Sequence, residues 1–159
     1  MYLPGAPRRS CEWCGQQLFT QLCKMLSIPP DMFTIEQLND LHDRLGTEET
    51  FPEYVRALRS AGVRSFDSYL FDGHSEFFGS DGHMVQSGAA HETLTIADIS
   101  NQQSFLDQLH LHSQHKTSYL EMSKGLAESG VERWSVDTTR MTMTYYDNAG
   151  NQMLVEALE

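Results

Sequence analysis

The densest set of side chains able to bind metal or move protons is His110-Leu111-His112-Ser113-Gln114-His115, three imidazoles within six residues. On a helix, His112 and His115 stand three apart and share a face, while His110 points elsewhere. Zinc takes three or four protein ligands, so His112 and His115 would need acidic or histidine partners from another element. The run Asp72-Gly73-His74-Ser75-Glu76 would offer them, and it also sets an acid, a base and a hydroxyl side by side. His74, Glu76, His112 and Lys116 are therefore the candidate catalytic residues, and His112 and His115 the candidate metal ligands. A plainer reading competes at both places. Histidines complement the dipole at a helix C-terminus, and a polar run containing Asp-Gly suits a hairpin turn. Alternate strand residues face opposite ways, so His74 and Glu76 share a side that Ser75 does not, which disfavours a serine–histidine–acid triad there.

Cys11-Glu12-Trp13-Cys14 with Cys23 makes half of a zinc knuckle without a clear fourth ligand, or a lone redox pair. There is no glycine-rich phosphate loop, no Walker lysine motif and no nucleophile elbow, so the familiar NTPase and hydrolase classes are disfavoured. No cofactor is implied.

The bulk properties narrow the partners. At 159 residues, 40% hydrophobic and 21% charged, the chain is long enough to bury a core without staples. Its 22 acidic residues against 11 basic ones give a formal charge of −11, the wrong sign for a phosphate backbone, so nucleic acid is not an expected partner. No apolar run approaches the roughly 20 residues that span a bilayer. All three cysteines precede residue 25, and a cysteine-free remainder gives no sign of a disulfide framework, which points to the cytoplasm. The polar stretch after Arg8 and Arg9 does not read as a secretory signal. Residues 1–31 carry three basic and two acidic side chains, leaving −12 on the rest. Met32 follows the helix-breaking Pro29-Pro30-Asp31, so residues 1–31 are expected to be an extension, with Met32 the natural start and 32–159 the folded body. Within the extension, Leu18, Leu22 and Met25 put a short amphipathic stretch over Gln16 to Ser27.

The elements that would position the candidate residues are readable from helix and turn signals. Thr34-Ile-Glu-Gln37 is a capping box, followed by Ile35, Leu38, Leu41 and Leu45 at helical spacing and a stop at Gly46. Thr50-Phe-Pro-Glu53 reads as a second box, with Gly62 at the left-handed position after its helix. Arg64 to Phe71 predicts a strand, Asp72-Gly73 a two-residue type I′ turn, His74 to Phe78 a returning strand, and His83 to Val85 a third. Thr93 to Ala97 reads as a further short strand. Ser100-Asn-Gln-Gln103 and Ser118-Tyr-Leu-Glu121 are further boxes, and the second helix of this pair ends at Gly130. Val131 to Asp137, Met141 to Tyr146 and Asn151 to Val155 complete the strands, with the Met and Tyr side chains of the middle one inward.

A shift of 68 positions lays residues 33–85 on 101–153 without a gap. Leu38, Leu41 and His42 fall on Leu106, Leu109 and His110, and Gly62-Val63 falls on Gly130-Val131. Phe66 falls on Trp134, Phe77-Phe78 on Tyr145-Tyr146, and Gly82 on Gly150. Eight positions are identical, and they fall at caps, stops, turns and hydrophobic contacts, where backbone geometry constrains residue type. The expected fold is α+β: a duplicated helix–helix–hairpin unit whose mainly antiparallel sheet carries its helices on one face. Each unit of about 50 residues is marginal alone, so the two would share a core, with a groove between them as the natural ligand site.

Phe51-Pro-Glu-Tyr-Val55, Asp72-Gly-His74, Leu94-Thr-Ile-Ala-Asp98, Lys116-Thr-Ser-Tyr119, Gly130-Val-Glu-Arg-Trp134 and Thr144-Tyr-Tyr-Asp-Asn-Ala-Gly150 together resemble the YbcV-like family over Met32 to Glu156. That family is a bacterial domain of unknown function, sometimes labelled a phage envelope protein, and the resemblance implies no catalytic residues. His115 stands where the family pattern has glycine before the Lys-Thr pair. The expected function is a non-enzymatic binding or interaction protein acting on a protein or small molecule. The alternatives are a small metal-dependent or acid–base enzyme using the histidines, and a phage-derived structural or inhibitor protein. A homodimer through exposed strand edges is a further expectation.

Overall fold

The computed structural model describes residues 32–159; the Cys11–Cys14 pair, Cys23, the amphipathic stretch and the extension as a whole lie outside the described residues. Helix α1 (Ile35–Leu45) opens on the predicted capping box: Thr34 Oγ1 accepts from the Gln37 amide and the Gln37 side chain accepts from the Thr34 amide. After a 3₁₀ turn (Glu48–Thr50), α2 runs from Phe51 to Ser60. Strands β1 (Ser65–Tyr69), β2 (Ser75–Phe78) and β3 (Met84–Gln86) follow. The second half supplies α3 (Gln102–Ser113), α4 (Tyr119–Glu128), β4 (Val131–Asp137), β5 (Thr142–Asp147) and β6 (Gln152–Ala157). All strand pairs are antiparallel, in the order β3-β2-β1-β4-β5-β6, so the described chain is an α+β fold with one six-stranded sheet.

Four local expectations change in three dimensions. Thr50 is not a side-chain cap: it has φ −108° and ψ 10° instead of the extended backbone a cap needs, and its hydroxyl donates back to the Leu45 carbonyl. The cap of α3 is Asn101, accepting from the Ser104 amide, while the Ser100 hydroxyl donates to Asp147. The β1–β2 connection is five residues, Leu70 to His74, closed by Gly73 N–H donating to Tyr69 O. Only Gly73 in it is left-handed (φ 76°), whereas a type I′ turn needs two such residues, and Leu70 is drawn into the core with its amide on Glu132 O. Residues 93–97 form no strand; single bonds from Leu94 to Phe71 and from Ala97 to Ala127 hold them against the fold.

The inward face of the sheet is set by the period-two pattern of Phe66, Phe77, Trp134, Val136, Met143 and Tyr145, and it carries the helices of both halves. Leu38, Tyr54, Val55 and Leu58 pack on Phe66, Phe77 and Val136. Phe105, Met122, Leu126 and Ala127 pack with Leu70, Val131 and Tyr145. Each large side chain so buried contributes about 1.5–3 kcal/mol. These two clusters meet at Trp134 and Met143, which border both.

The 68-residue shift carries the bounds of α2, Phe51–Ser60, onto those of α4, Tyr119–Glu128. Gly62 and Gly130 are both left-handed (φ 100° and 87°), as are Gly82 and Gly150 (76° and 84°). The correspondence breaks on the first helix of each half. Leu38 is buried at 1% exposure, while Leu106, its counterpart, is 38% exposed and Phe105 takes the core position instead. No helix among the described residues is long and apolar enough to cross a membrane.

Candidate functional site

Between the two core clusters lies a cavity of about 900 Å³. Its floor is the inward face of the sheet, and its origin is a change of residue size at two inward positions. Where the alternating pattern calls for large apolar side chains, β1 and β2 present Ser68 and Ser75, directly opposite each other and hydrogen-bonded through their hydroxyls at 2.7 Å. Phe66 and Phe77 flank them on one side, with ring centroids 5.3 Å apart. Trp134, opposite Ser68 on β4, and Tyr145, opposite Trp134 on β5, flank them on the other, with centroids 6.4 Å apart. Glu156 joins the floor from β6, opposite Met143.

The walls come from both helix pairs. Leu38 and His42 of α1 and Tyr54 of α2 line one side; Leu109 and His112 of α3 with Met122 and Leu126 of α4 line the other. Ser87 to Ala90 form part of the rim, anchored by the Ser75 amide donating to Ser87 Oγ and the Ala90 amide donating to Asp72 O. Burial pushes the Tyr54 phenol well above its ordinary value. Burial does the same to Tyr145, reinforced by the neighbouring Glu156 carboxylate, so both hydroxyls stay neutral hydrogen-bonding groups.

The candidate residues named from sequence are divided among three places. His74 and Glu76 lie on the outward face of the sheet. There the His74 ring stacks on Tyr69 at 4.7 Å, its Nδ1 bonds the Asp72 carboxylate, and the Tyr69 hydroxyl donates to Glu76 at 3.3 Å. The hydrogen bonds and charge of His74 outweigh burial and hold the Asp72 carboxyl below its ordinary value. Arg133 continues this outward network, 3.7 Å from Asp67 and 4.4 Å above the Tyr146 ring. His112 lies on the opposite side, lining the cavity, with Nδ1 at 3.2 Å from both the carbonyl and the hydroxyl oxygen of Thr117.

His115 does not share a helix face with His112, because α3 ends at Ser113 and His115 is left-handed (φ 56°) beyond the cap. It reaches Glu48 across the cavity mouth at 3.5 Å. Lys116 is exposed in the same connection. The sheet thus separates the two acid–base candidates of the β1–β2 hairpin, His74 and Glu76, from His112, and among the described residues no three His, Cys, Asp or Glu side chains converge in metal-binding geometry.

Ser68, Ser75 and Glu156 of the floor escaped sequence reading. The signal that would have found them is two serines and a glutamate at inward strand positions, where periodicity asks for apolar side chains. The arrangement can enclose an apolar molecule and offer it a few hydroxyl, imidazole and carboxylate contacts. Ser68 and Ser75 bond each other rather than a histidine, so neither is set up as an activated nucleophile.

No curated protein matches the chain. A family described as proteins of unknown function, DUF1398, matches residues 39–157, from the middle of α1 to the end of β6, and the chain belongs to that family.

Proposed function

We propose that the protein is a non-enzymatic binding protein for a small organic molecule, held in the cavity between the two helix pairs. The observation that carries this reading is the cavity itself, about 900 Å³ over a floor opened by Ser68 and Ser75. Its volume falls within the roughly 300–1,000 Å³ of small-molecule sites, and its lining has their character, mostly apolar and aromatic with a few placed polar groups. The cleft is, on this reading, the seam of an internal duplication; the equal bounds of α2 and α4 under one shift support it. The ordered segments that resemble the YbcV-like family support a bacterial relative of it, and a cysteine-free 32–159 supports a cytoplasmic location.

Trp134 lies in the cavity lining and Trp13 is the second tryptophan of the chain. A Trp13→Phe protein therefore reports binding through Trp134 alone. Nile red, an uncharged apolar dye, is expected to bind at one molecule per chain and to change Trp134 emission. Leu109→Trp, which fills the space from α3, is expected to abolish that binding while the protein stays folded. Equal dye binding by the two proteins would remove the cavity as the site.

A further inference from the structure

We infer that the cavity selects an organic cation, an ammonium group carried on an apolar body, over neutral or anionic molecules of the same shape. The inference rests on the cavity being the binding site and names the class of its ligand.

Among the described residues, the lining contains no lysine and no arginine, although residues 32–159 hold eight of the chain's 11. It contains two carboxylates, Glu48 at the mouth and Glu156 in the floor. A ligand carboxylate or phosphate entering this space would lose water and meet like charge, with no lysine or arginine among the described lining residues to compensate. An ammonium group would meet the reverse. Glu156 occupies an inward position on β6, opposite Met143, whose strand neighbour Tyr145 carries its ring into the same floor. The Glu48 side chain is 41% exposed and screened by water, whereas Glu156 stands in the floor beside the buried Tyr145 and is the carboxylate that meets the ligand.

Aromatic rings supply the rest of a cation site. Tyr54, Phe66, Phe77, Trp134 and Tyr145 all line the cavity, and the Phe66–Phe77 and Trp134–Tyr145 pairs stand on either side of the serine pair. Ring faces attract alkylammonium groups electrostatically, most strongly where water is excluded, and aromatic enclosures are the recurrent solution for quaternary ammonium ligands. The Ser68 and Ser75 hydroxyls use one proton between them and retain acceptor lone pairs for a polar ligand atom. The formal charge of −11 also favours the approach of cations at long range.

Three probes of matched shape separate the charge effect from simple burial: benzyltrimethylammonium, neopentylbenzene as its uncharged carbon isostere, and benzylsulfonate as an anion with a tetrahedral head. Binding to the full chain carrying Trp13→Phe is followed by Trp134 emission and by calorimetry at about pH 8, above the ordinary imidazole range. The ammonium is expected to bind at least about tenfold more tightly than either of the others. Glu156→Gln is expected to remove most of that advantage, read as the ratio of ammonium to neopentylbenzene affinity, and Glu156→Asp to keep the preference for the cation. Equal affinity for the three probes, tighter binding of the sulfonate, or no binding of the ammonium overturns the inference. If neopentylbenzene still binds and Leu109→Trp blocks it, the cation inference falls alone; if neither it nor Nile red binds, the cavity reading falls as well.

Discussion

Asp67 and Ser135 face each other across the β1–β4 pair at the centre of the sheet, and the Ser135 hydroxyl donates to the Asp67 carboxylate. They are separated by 68 residues, the same interval that lays the first half of the chain on the second. A position pairing with its own counterpart is what a local two-fold axis between two antiparallel strands requires. The flanking pairs obey the same axis: Phe66 opposes Val136 and Ser68 opposes Trp134, while Phe66 and Trp134, and Ser68 and Val136, are counterparts under the shift.

This central bond has a measurable coupling. Asp67 also lies 3.7 Å from Arg133, and both side chains are about three-quarters buried, at 23% and 25% exposure. Urea unfolding of Asp67→Ala, Ser135→Ala and the double variant is expected to give an interaction energy on the order of 1 kcal/mol. A value indistinguishable from zero would mean the seam is held by backbone pairing and packing alone.

Adjacent residues on α3 should differ sharply. Phe105 is fully buried and packs 5.2 Å from the Tyr145 ring, whereas Leu106 is 38% exposed. Phe105→Ala is expected to destabilise the protein by about 3–5 kcal/mol through transfer and cavity terms. Leu106→Ala is expected to stay within about 0.5 kcal/mol of the parent. Similar losses at both sites would show that Leu106 is also buried, as Leu38 is at the position 68 residues earlier.

Acid should loosen the β5–β6 turn. The Asp147 carboxylate accepts from the amides of Ala149 and Asn151, the Asn151 side chain and the Ser100 hydroxyl. The side-chain and backbone bonds of Asn151 are the main reason its carboxyl lies below the ordinary aspartate value of 3.8. A group depressed in the folded state contributes stability that is present above its unfolded value and lost as pH falls through its folded one. The urea midpoint of the parent is therefore expected to fall below about pH 4. Asp147→Asn should be less stable at neutral pH and show a smaller acid loss. An unchanged acid slope in that variant would assign the loss to other carboxylates.

Much of the local structure was legible because its causes are local. The Thr34 and Ser118 capping boxes form as their spacing predicts, since each joins a side chain to an amide three residues away. Gly62, Gly130 and Gly150 take the left-handed backbone that their places after helices and in the last turn demand. The misreadings arose where a distant partner intervened. Leu70 is pulled into the core and lengthens the β1–β2 loop, Ser100 turns to Asp147 instead of capping, and His115 leaves the helix to meet Glu48.

The sequence by itself determined the α+β class, the helices with their stops, and the inward Met and Tyr face of β5, because 3.6- and two-residue periodicities are written into neighbouring positions. Only the tertiary structure decided that β1 pairs with β4, that the sheet parts His74 and Glu76 from His112, and that Ser68, Ser75, Trp134 and Glu156 share one cavity floor. Those relations join residues as far apart as Ser68 and Glu156, more than half the chain. They are fixed by which faces bury together, a condition that no short stretch of sequence contains.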